Sequence, residues 1–254
     1  MTTWLLALDT STPRTALALG RVDRDAGRAE LVAQVTHDDR GRPASAELTQ
    51  RIAALLADAG VAPRALGAVA CGRGPGMFTG SRVALATAKG IALALGCPLY
   101  ALSTLAVIAG AEVEEARTRA PLRGPVLALL DARRGDVYAA TFKVEDAGPV
   151  RVTEDRCCPL EQVLADLPPD VAGAIRPVGP GVTAFAGTLP PDLRARAISL
   201  PGADGVGLWR AAAFSALHEA PADVTTVDAV YLRASYAELG LNTPKRPPFR
   251  SPFV

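Results

Sequence analysis

Cys71-Gly72-Arg73-Gly74-Pro75-Gly76-Met77-Phe78-Thr79-Gly80-Ser81-Arg82 is the stretch on which the reading of this chain turns. Glycine at 72, 74 and 76 with proline at 75 cannot sit inside a regular element. They mark a tight loop, because glycine reaches positive φ without steric cost. Thr79 and Ser81 are both suited to cap the start of a helix, and Gly96 followed by Pro98 is a stop signal. Between them, Val83 to Leu95 carries Lys89 as its sole charge, and its larger side chains point all ways round at 100° per residue. A helix apolar on every side is expected to be buried on every side. One arc nevertheless carries almost no bulk: Ala86, Gly90 and Ala94 recur every four residues, flanked by Val83 and Thr87. Small residues at that spacing let two helix backbones approach closely. Two readings follow, a helix wrapped by its own domain or an arc left for another subunit. A glycine loop feeding a helix is also an anion site in general, but no Gly-Lys-Ser/Thr follows, so it is not a Walker loop.

Upstream, Trp4 to Leu8 is an almost wholly apolar run and reads as a strand buried on both faces. It ends in the polar turn Asp9-Thr10-Ser11-Thr12-Pro13. Thr15 to Gly20 returns as its hairpin partner, and Leu31, Ala33 and Val35 alternate as a third strand. His37 to Arg42 reads as a polar loop. Ser45 is placed to cap a helix whose apolar face is Leu48, Ile52, Leu55, Leu56 and Ala59. Leu66 to Cys71 is a fourth strand running into the glycine loop. Downstream the order repeats. After Leu99-Tyr100-Ala101 and a helix expected over Thr104 to Arg117, Val126 to Asp131 is again an apolar strand ending in aspartate. It turns through Ala132-Arg133-Arg134-Gly135 into Asp136 to Phe142. Val150 to Thr153, a helix over Leu160 to Leu167, a strand over Val171 to Val178 and a turn at Gly179-Pro180-Gly181 complete the series. Leu208 to Leu217 is one more apolar helix. The expected organisation is α/β, with a first lobe over 1–103 and a second over 104–240 whose last helix packs back on the first. An extended or disordered tail over 241–254 follows, with Arg246 and Arg250 as its RNA- or partner-facing candidates.

The 254 residues suffice for one large domain or two lobes. Acidic and basic residues nearly cancel (net +1), so no overall field favours nucleic acid, and any such contact must be local. Arginine outnumbers lysine 24 to 3, which reads as compositional habit as much as function. Cys71, Cys97, Cys157 and Cys158 form no CxxC pair, a pattern that suits a reducing cytosol. Met1 to Leu8 lacks a basic leader pattern, and no long apolar run is free enough of charge to span a bilayer. The expectation is a soluble, cytoplasmic protein with no membrane contact.

A duplicated β-β-β-α-β-α lobe is the plan of the actin, hexokinase and Hsp70 group, in which one hairpin from each lobe closes on the phosphates of a nucleotide. Asp9, Thr10 and Ser11 occupy the first hairpin position and Asp131 the second; Gly74 and Gly76 complete the candidate phosphate loops. A hairpin that cradles phosphate usually offers small residues so that backbone N–H groups come close. Asp9 to Arg14 contains no glycine, and Arg133 and Arg134 put bulk on the second hairpin. No cofactor is therefore expected to bind tightly to the isolated chain. His37 and His218 are the only histidines, with no HxxxH or HExxH, and Ser81 lacks the GxSxG frame, so neither a metal centre nor a serine nucleophile is expected.

Three stretches together resemble the bacterial TsaB (YeaZ) family: Leu6 to Thr12, Gly74 to Val83, and Asp131 to Tyr138. The resemblance covers residues 4–143 and reaches more loosely to Tyr231-Leu232-Arg233. It departs from the family at Met77 and Ser81, where serine and leucine are usual, and at Ala44-Ser45-Ala46, where His-Ser-Glu is common. The resemblance implies a non-catalytic subunit of the machinery that makes N6-threonylcarbamoyladenosine beside the anticodon of ANN-decoding tRNAs. It implies pairing with the transferase TsaD, joined by the ATPase TsaE, with tRNA engaged indirectly and ATP or ADP admissible at the complex interface. It places the partner contact on the first lobe's two helices, hence on Thr79, Arg82, Val83, Ala86, Thr87, Gly90 and Ala94. Homodimers through the same surface are also implied. The alternative is a stand-alone ATP-dependent transferase or kinase, or a metallo-glycoprotease, of the same fold.

Overall fold

The computed structural model describes residues 2–39, 47–115 and 118–233, without the side chains of 112–121. The tail over 241–254, the Ala44-Ser45-Ala46 stretch and the expected cap Ser45 lie outside the described residues.

The first sheet is built by β1 (Thr2–Asp9), β2 (Arg14–Asp23), β3 (Arg28–Asp38), β4 (Leu66–Gly72) and β5 (Leu99–Leu102), in the order β3-β2-β1-β4-β5. The β1–β2 and β2–β3 pairs are antiparallel; β4 and β5 run parallel to β1. His37, expected in a loop, is instead the partner of Thr15 in the β2–β3 ladder. Helices α1 (Leu48–Asp58) and α2 (Phe78–Leu95) connect β3 to β4 and β4 to β5. A short helix α3 (Thr104–Ala109) and the ribbon β6 (Glu112–Glu115) and β7 (Thr118–Pro121) lead to the second sheet. That sheet contains β8 (Gly124–Arg133), β9 (Asp136–Glu145), β10 (Gly148–Arg151), β11 (Arg156–Pro159) and, after short α4 (Leu160–Ala165) and α5 (Pro169–Ala172), β12 (Arg176–Val178). Its order is β10-β9-β8-β12, with β11 also on β9. The fifth-strand position shrinks to one parallel bridge from Val178 to Ile198, between α6 (Pro180–Ala184), α7 (Pro191–Arg196) and the long α8 (Gly205–His218). Two sheets of one plan, the second abbreviated, make this a duplicated actin-like α/β fold.

Strand alternation sorts the chain into layers. In β1, Leu6 and Leu8 face a core shared with α1 and α2, while Leu5 and Ala7 face a second core filled by α8. Both faces are therefore covered, as its apolar run requires. Leu105 and Ile108 of α3 pack on the inner face of the second sheet, and α4, α6 and α7 cover its outer face through Val163, Val182 and Leu193. The helices α3 and α8 thus lie between the sheets, and α1 and α2 form the outermost layer on the first lobe's far side.

Several expectations are corrected. The helix expected over Thr104 to Arg117 stops at Ala109, because Gly110 lies where α8 crosses at Gly207 and a side chain would collide. Residues beyond it pair as the β6–β7 ribbon. The strand expected over Val171 to Val178 begins only at Arg176, since Val171 belongs to the turn of helix opened by Pro169. Neither Thr79 nor Ser81 caps α2. The helix starts at Phe78, and the Ser81 hydroxyl donates to the Met77 carbonyl from inside it. A tertiary bond sets this start: the Met77 N–H donates to the Ser11 carbonyl at 2.8 Å. Gly96 ends α2 in the left-handed conformation at φ 62°, as its position implied.

Glycine is required where α2 meets the first hairpin. A methyl group at Gly80 would strike the Thr10 carbonyl oxygen, and one at Gly76 the Ser11 carbonyl oxygen. Gly90 has no described residue within 4 Å of a would-be Cβ. Gly80→Ala is therefore expected to destabilise the protein by about 3 kcal/mol through overpacking against fixed backbone. Gly90→Ala is expected to stabilise it by about 0.5–1 kcal/mol through helix propensity. Urea unfolding midpoints of the two variants check the opposite signs.

Candidate functional site

The first hairpin turn is closed. Asp9, Thr10, Ser11 and Thr12 are between 0 and 3 % exposed. The Ser11 N–H donates to Asp9 Oδ1 at 2.6 Å, and the Thr104 hydroxyl donates to Oδ2 at 3.1 Å. The Thr10 hydroxyl donates to the Gly80 carbonyl at 2.6 Å, which fastens the turn to the first turn of α2. Gly72 leaves room for the Asp9 carboxylate and Gly76 for the Ser11 backbone. Of the candidate phosphate-loop residues read from the sequence, Asp9, Thr10, Ser11 and Gly76 are thus brought together, but onto each other, while Gly74 lies against the Val230 carbonyl and the Ser81 hydroxyl. The Ser11 hydroxyl lacks a hydrogen-bond partner among the described residues, yet it is roofed by this same glycine loop. As built, the hairpin does not fit a nucleotide's phosphates: the Ser11 amide is taken by Asp9, and the small residues that would admit an anion are filled with protein backbone.

Burial pushes the Asp9 carboxyl up from 3.8 to about 6, against the opposing hydrogen bonds from the Ser11 amide and the Thr104 hydroxyl.

The second hairpin is open to solvent. Arg133 and Arg134 adopt positive φ, 69° and 57°, which is uncommon for side chains of this size. The Arg133 N–H donates to Asp131 Oδ1 at 2.7 Å, and its guanidinium lies 3.3 Å from Oδ2. Tying this hairpin to the glycine loop is a strap over residues 219–233 that sequence reasoning registered only as a short ordered segment at Ala229 to Arg233. It starts where the Ala222 N–H donates to the Leu99 carbonyl at the edge of the first sheet and then runs along α2, where Lys89 Nζ donates to the Val227 carbonyl at 3.0 Å. The Val230 N–H donates to the Arg73 carbonyl at 2.8 Å, and the Arg233 guanidinium donates to the Ala132 and Arg133 carbonyls. Polar contacts of a strap with backbone carbonyls leave almost no signature in sequence, which is why they were missed.

The small-residue arc lies on the outermost layer. Ala86, Gly90 and Ala94 are exposed, Val83 and Thr87 half-buried, and Thr79 and Arg82 exposed nearer the helix start. The helix buries only Gly80, Ser81, Ala84, Leu85, Ala88 and Ala92, so an all-round apolar sequence is buried on one side alone. Ala86, Thr87, Gly90 and Ala94 form one wall of an apolar groove of about 490 Å³; Thr49, Ile52, Ala53 and Leu56 of α1 form the other. Thr79, Arg82 and Val83 stand outside that lining. No described residue beyond Leu95 lines the groove. Beside it Leu93 is 61 % exposed. No helix of the described residues is long and apolar enough to cross a membrane.

Comparison with known proteins gives concordant matches. The family model described as TsaD, tRNA N6-adenosine threonylcarbamoyltransferase, matches residues 32–181. The chain is 34 % identical over 209 residues to the tRNA threonylcarbamoyladenosine biosynthesis protein TsaB of Haemophilus influenzae, covering 78 % of this chain and 81 % of that protein. It is 31 % identical to the Escherichia coli protein of the same name over 194 residues, 74 % of each. An uncharacterized protein of Mycobacterium tuberculosis is 36 % identical over 141 residues, and there the match spans only 58 % of the relative's length. A crystal structure from Pseudomonas aeruginosa, described as similar to peptidase YEAZ, superposes with TM-score 0.75 at 31 % identity, over 91 % of this chain and all of that one.

The buried Asp9 gives a pH test. Its folded value lies above the unfolded one, so its contribution to stability is complete below about pH 4 and is lost as pH rises through about 6. Between roughly pH 4 and pH 7.5 this group is expected to remove about 3 kcal/mol. Asp9→Asn keeps the acceptor for Ser11 and offers Thr104 a donor, so it should flatten that slope and stabilise the protein at neutral pH. Urea midpoints of both proteins across the window decide it; equal slopes would exclude Asp9 as the source.

Proposed function

The chain belongs to the TsaB (YeaZ) family, and we propose on that footing that it is a non-catalytic scaffold subunit in the formation of N6-threonylcarbamoyladenosine on tRNA. It acts by docking the transferase TsaD on the groove between α1 and α2. The observation that carries this reading is the open strip of Ala86, Gly90 and Ala94, where exposed backbone lies beside an apolar wall from α1. A glycine in mid-helix costs about 1 kcal/mol relative to alanine. No close neighbour among the described residues offsets that cost at Gly90, and a partner helix packed against the bare backbone would.

Transfer chemistry resides in TsaD, with TsaE joining the full complex and tRNA held by the assembly. A homodimer through the same groove is the state of the isolated chain at high concentration. The isolated chain binds no nucleotide tightly, a reading supported by the way Asp9, Thr10 and Ser11 are sealed under the glycine loop. ATP or ADP, where it takes part, enters at the junction with TsaD. Localisation in the cytoplasm follows from the same role.

Gly90→Leu fills the strip without touching the core, so the variant is expected to fold as the native chain does and to lose co-elution with purified TsaD in size-exclusion chromatography. Loss of affinity should be at least tenfold, and an unchanged complex would remove the groove from the interface. Calorimetry of the isolated chain with ATP and magnesium is expected to give no tight isotherm. A submicromolar constant would favour an enzyme of the same fold instead.

A further inference from the structure

The exposed large side chains gather at a second place. Among the described residues six large hydrophobics are exposed, and three of them, Met77, Phe78 and Tyr231, stand where the strap meets the glycine loop. The Phe78 and Tyr231 rings lie 5.1 Å apart, tilted by 40°. The Arg82 guanidinium sits 3.8 Å from the Phe78 centroid and 5.3 Å from that of Tyr231, and its Nε donates to the Tyr231 hydroxyl at 2.5 Å. Each side chain is held by the other two, so little rotamer freedom remains to be lost on binding. Yet Phe78 is still 51 % and Tyr231 43 % exposed.

Positive charge surrounds this stack. Two residues beyond Tyr231, Arg233 holds the carbonyls of the second hairpin, which presents Arg133 with 82 % of its side chain exposed and Arg134 beside it. Asp131 is already engaged by Arg133. Arg82, Arg133, Arg134 and Arg233 nonetheless lie along one rim of a chain whose whole net charge is +1. This is the local concentration that an overall balance of charge conceals.

Beyond the docking role, we infer that this rim is a platform for single-stranded RNA, whose bases stack on Phe78 and Tyr231 while its phosphates face the arginines of the second hairpin. Aromatic faces beside guanidinium groups accept any base by stacking, and a duplex would hide those base faces. The choice of RNA over DNA rests on the tRNA-pathway reading. The α1–α2 groove is lined by aliphatic groups and suits a helix; here rings alternate with cations, which complements a polyanion.

The test is fluorescence anisotropy of a labelled single-stranded RNA of about a dozen nucleotides, titrated with full-length protein at about 50 mM salt. Saturable binding is expected. Phe78→Ala with Tyr231→Ala should weaken it at least tenfold with the far-UV spectrum unchanged, and Arg133→Ser with Arg134→Ser should reduce the salt slope by about one per charge removed. A duplex of the same sequence should bind more weakly, and Gly90→Leu should bind RNA as the native chain does. Three results would overturn the platform: no saturation up to about 100 µM, an affinity unchanged in the ring variants, or ring variants that lose TsaD while no RNA binding exists. Equal affinity for single-stranded DNA would remove the selectivity for RNA. If Gly90→Leu keeps TsaD but native protein binds RNA and the ring variants do not, the groove reading fails and the platform stands.

Discussion

Backbone packed directly on backbone, between the glycine loop and the first hairpin, is the contact that the rest of this structure depends on. It exists because residues 76 and 80 have no Cβ to hold the two segments apart, while Gly72 leaves room for the Asp9 carboxylate. Met77 then reaches the Ser11 carbonyl, Thr10 reaches the Gly80 carbonyl, and α2 starts at a place that neither Thr79 nor Ser81 selects. The same contact seals Asp9 from water and pushes its carboxyl up to about 6. One piece of packing therefore sets the direction of α2 and closes the first hairpin.

The direction of α2 matters because the first sheet divides the lobe into an inside and an outside. Leu5 and Ala7 turn toward α8, which wedges Trp209 over Gly20 and joins the two lobes through its contact with α3. Leu6 and Leu8 turn toward α1 and α2. With α8 occupying the inner side, the outer pair is met only by the strap, which packs Val224, Val227 and Ala229 against its core and leaves the α1–α2 groove uncovered by described residues. Exposed alanine and glycine on α2 are a consequence of that stacking order, and so is the groove they share with α1. The strap then runs from the sheet edge along α2 to the second hairpin, so the glycine loop, the helix and the second lobe are tied by one segment.

Much of this was legible in the residues. The apolar run of β1, its return through β2, the stop at Gly96 and the recurrence of an aspartate-terminated strand at Asp131 each follow from periodicity and turn chemistry that act within a few residues. The failures share a cause as well. The Ala-Glu-Val-Glu-Glu-Ala-Arg run favours helix locally, yet the helix ends with Gly110 as its cap, where α8 crosses, and the run pairs as a ribbon instead. Cys157 and Cys158, unexplained in sequence, are partners of Tyr138 and Val137 in a short strand whose register comes from β9. His37 is drawn into a ladder by the length of β2 rather than by its own neighbours.

By itself the sequence determined the period of most elements, the stop at Gly96 and the order in which the two sheets are laid down, since these depend on steric and hydrophobic preferences between near neighbours. It left the apolar all-round α2 with two readings, because amphipathicity says how much surface is apolar and not what will cover it. Only the tertiary structure decided which arc stays bare, that the first hairpin is closed by a loop some seventy residues on, and that Phe78, Arg82 and Tyr231 stand together. Burial and charge concentration are set by segments that meet across the fold, and those meetings are fixed only when every layer has found its place.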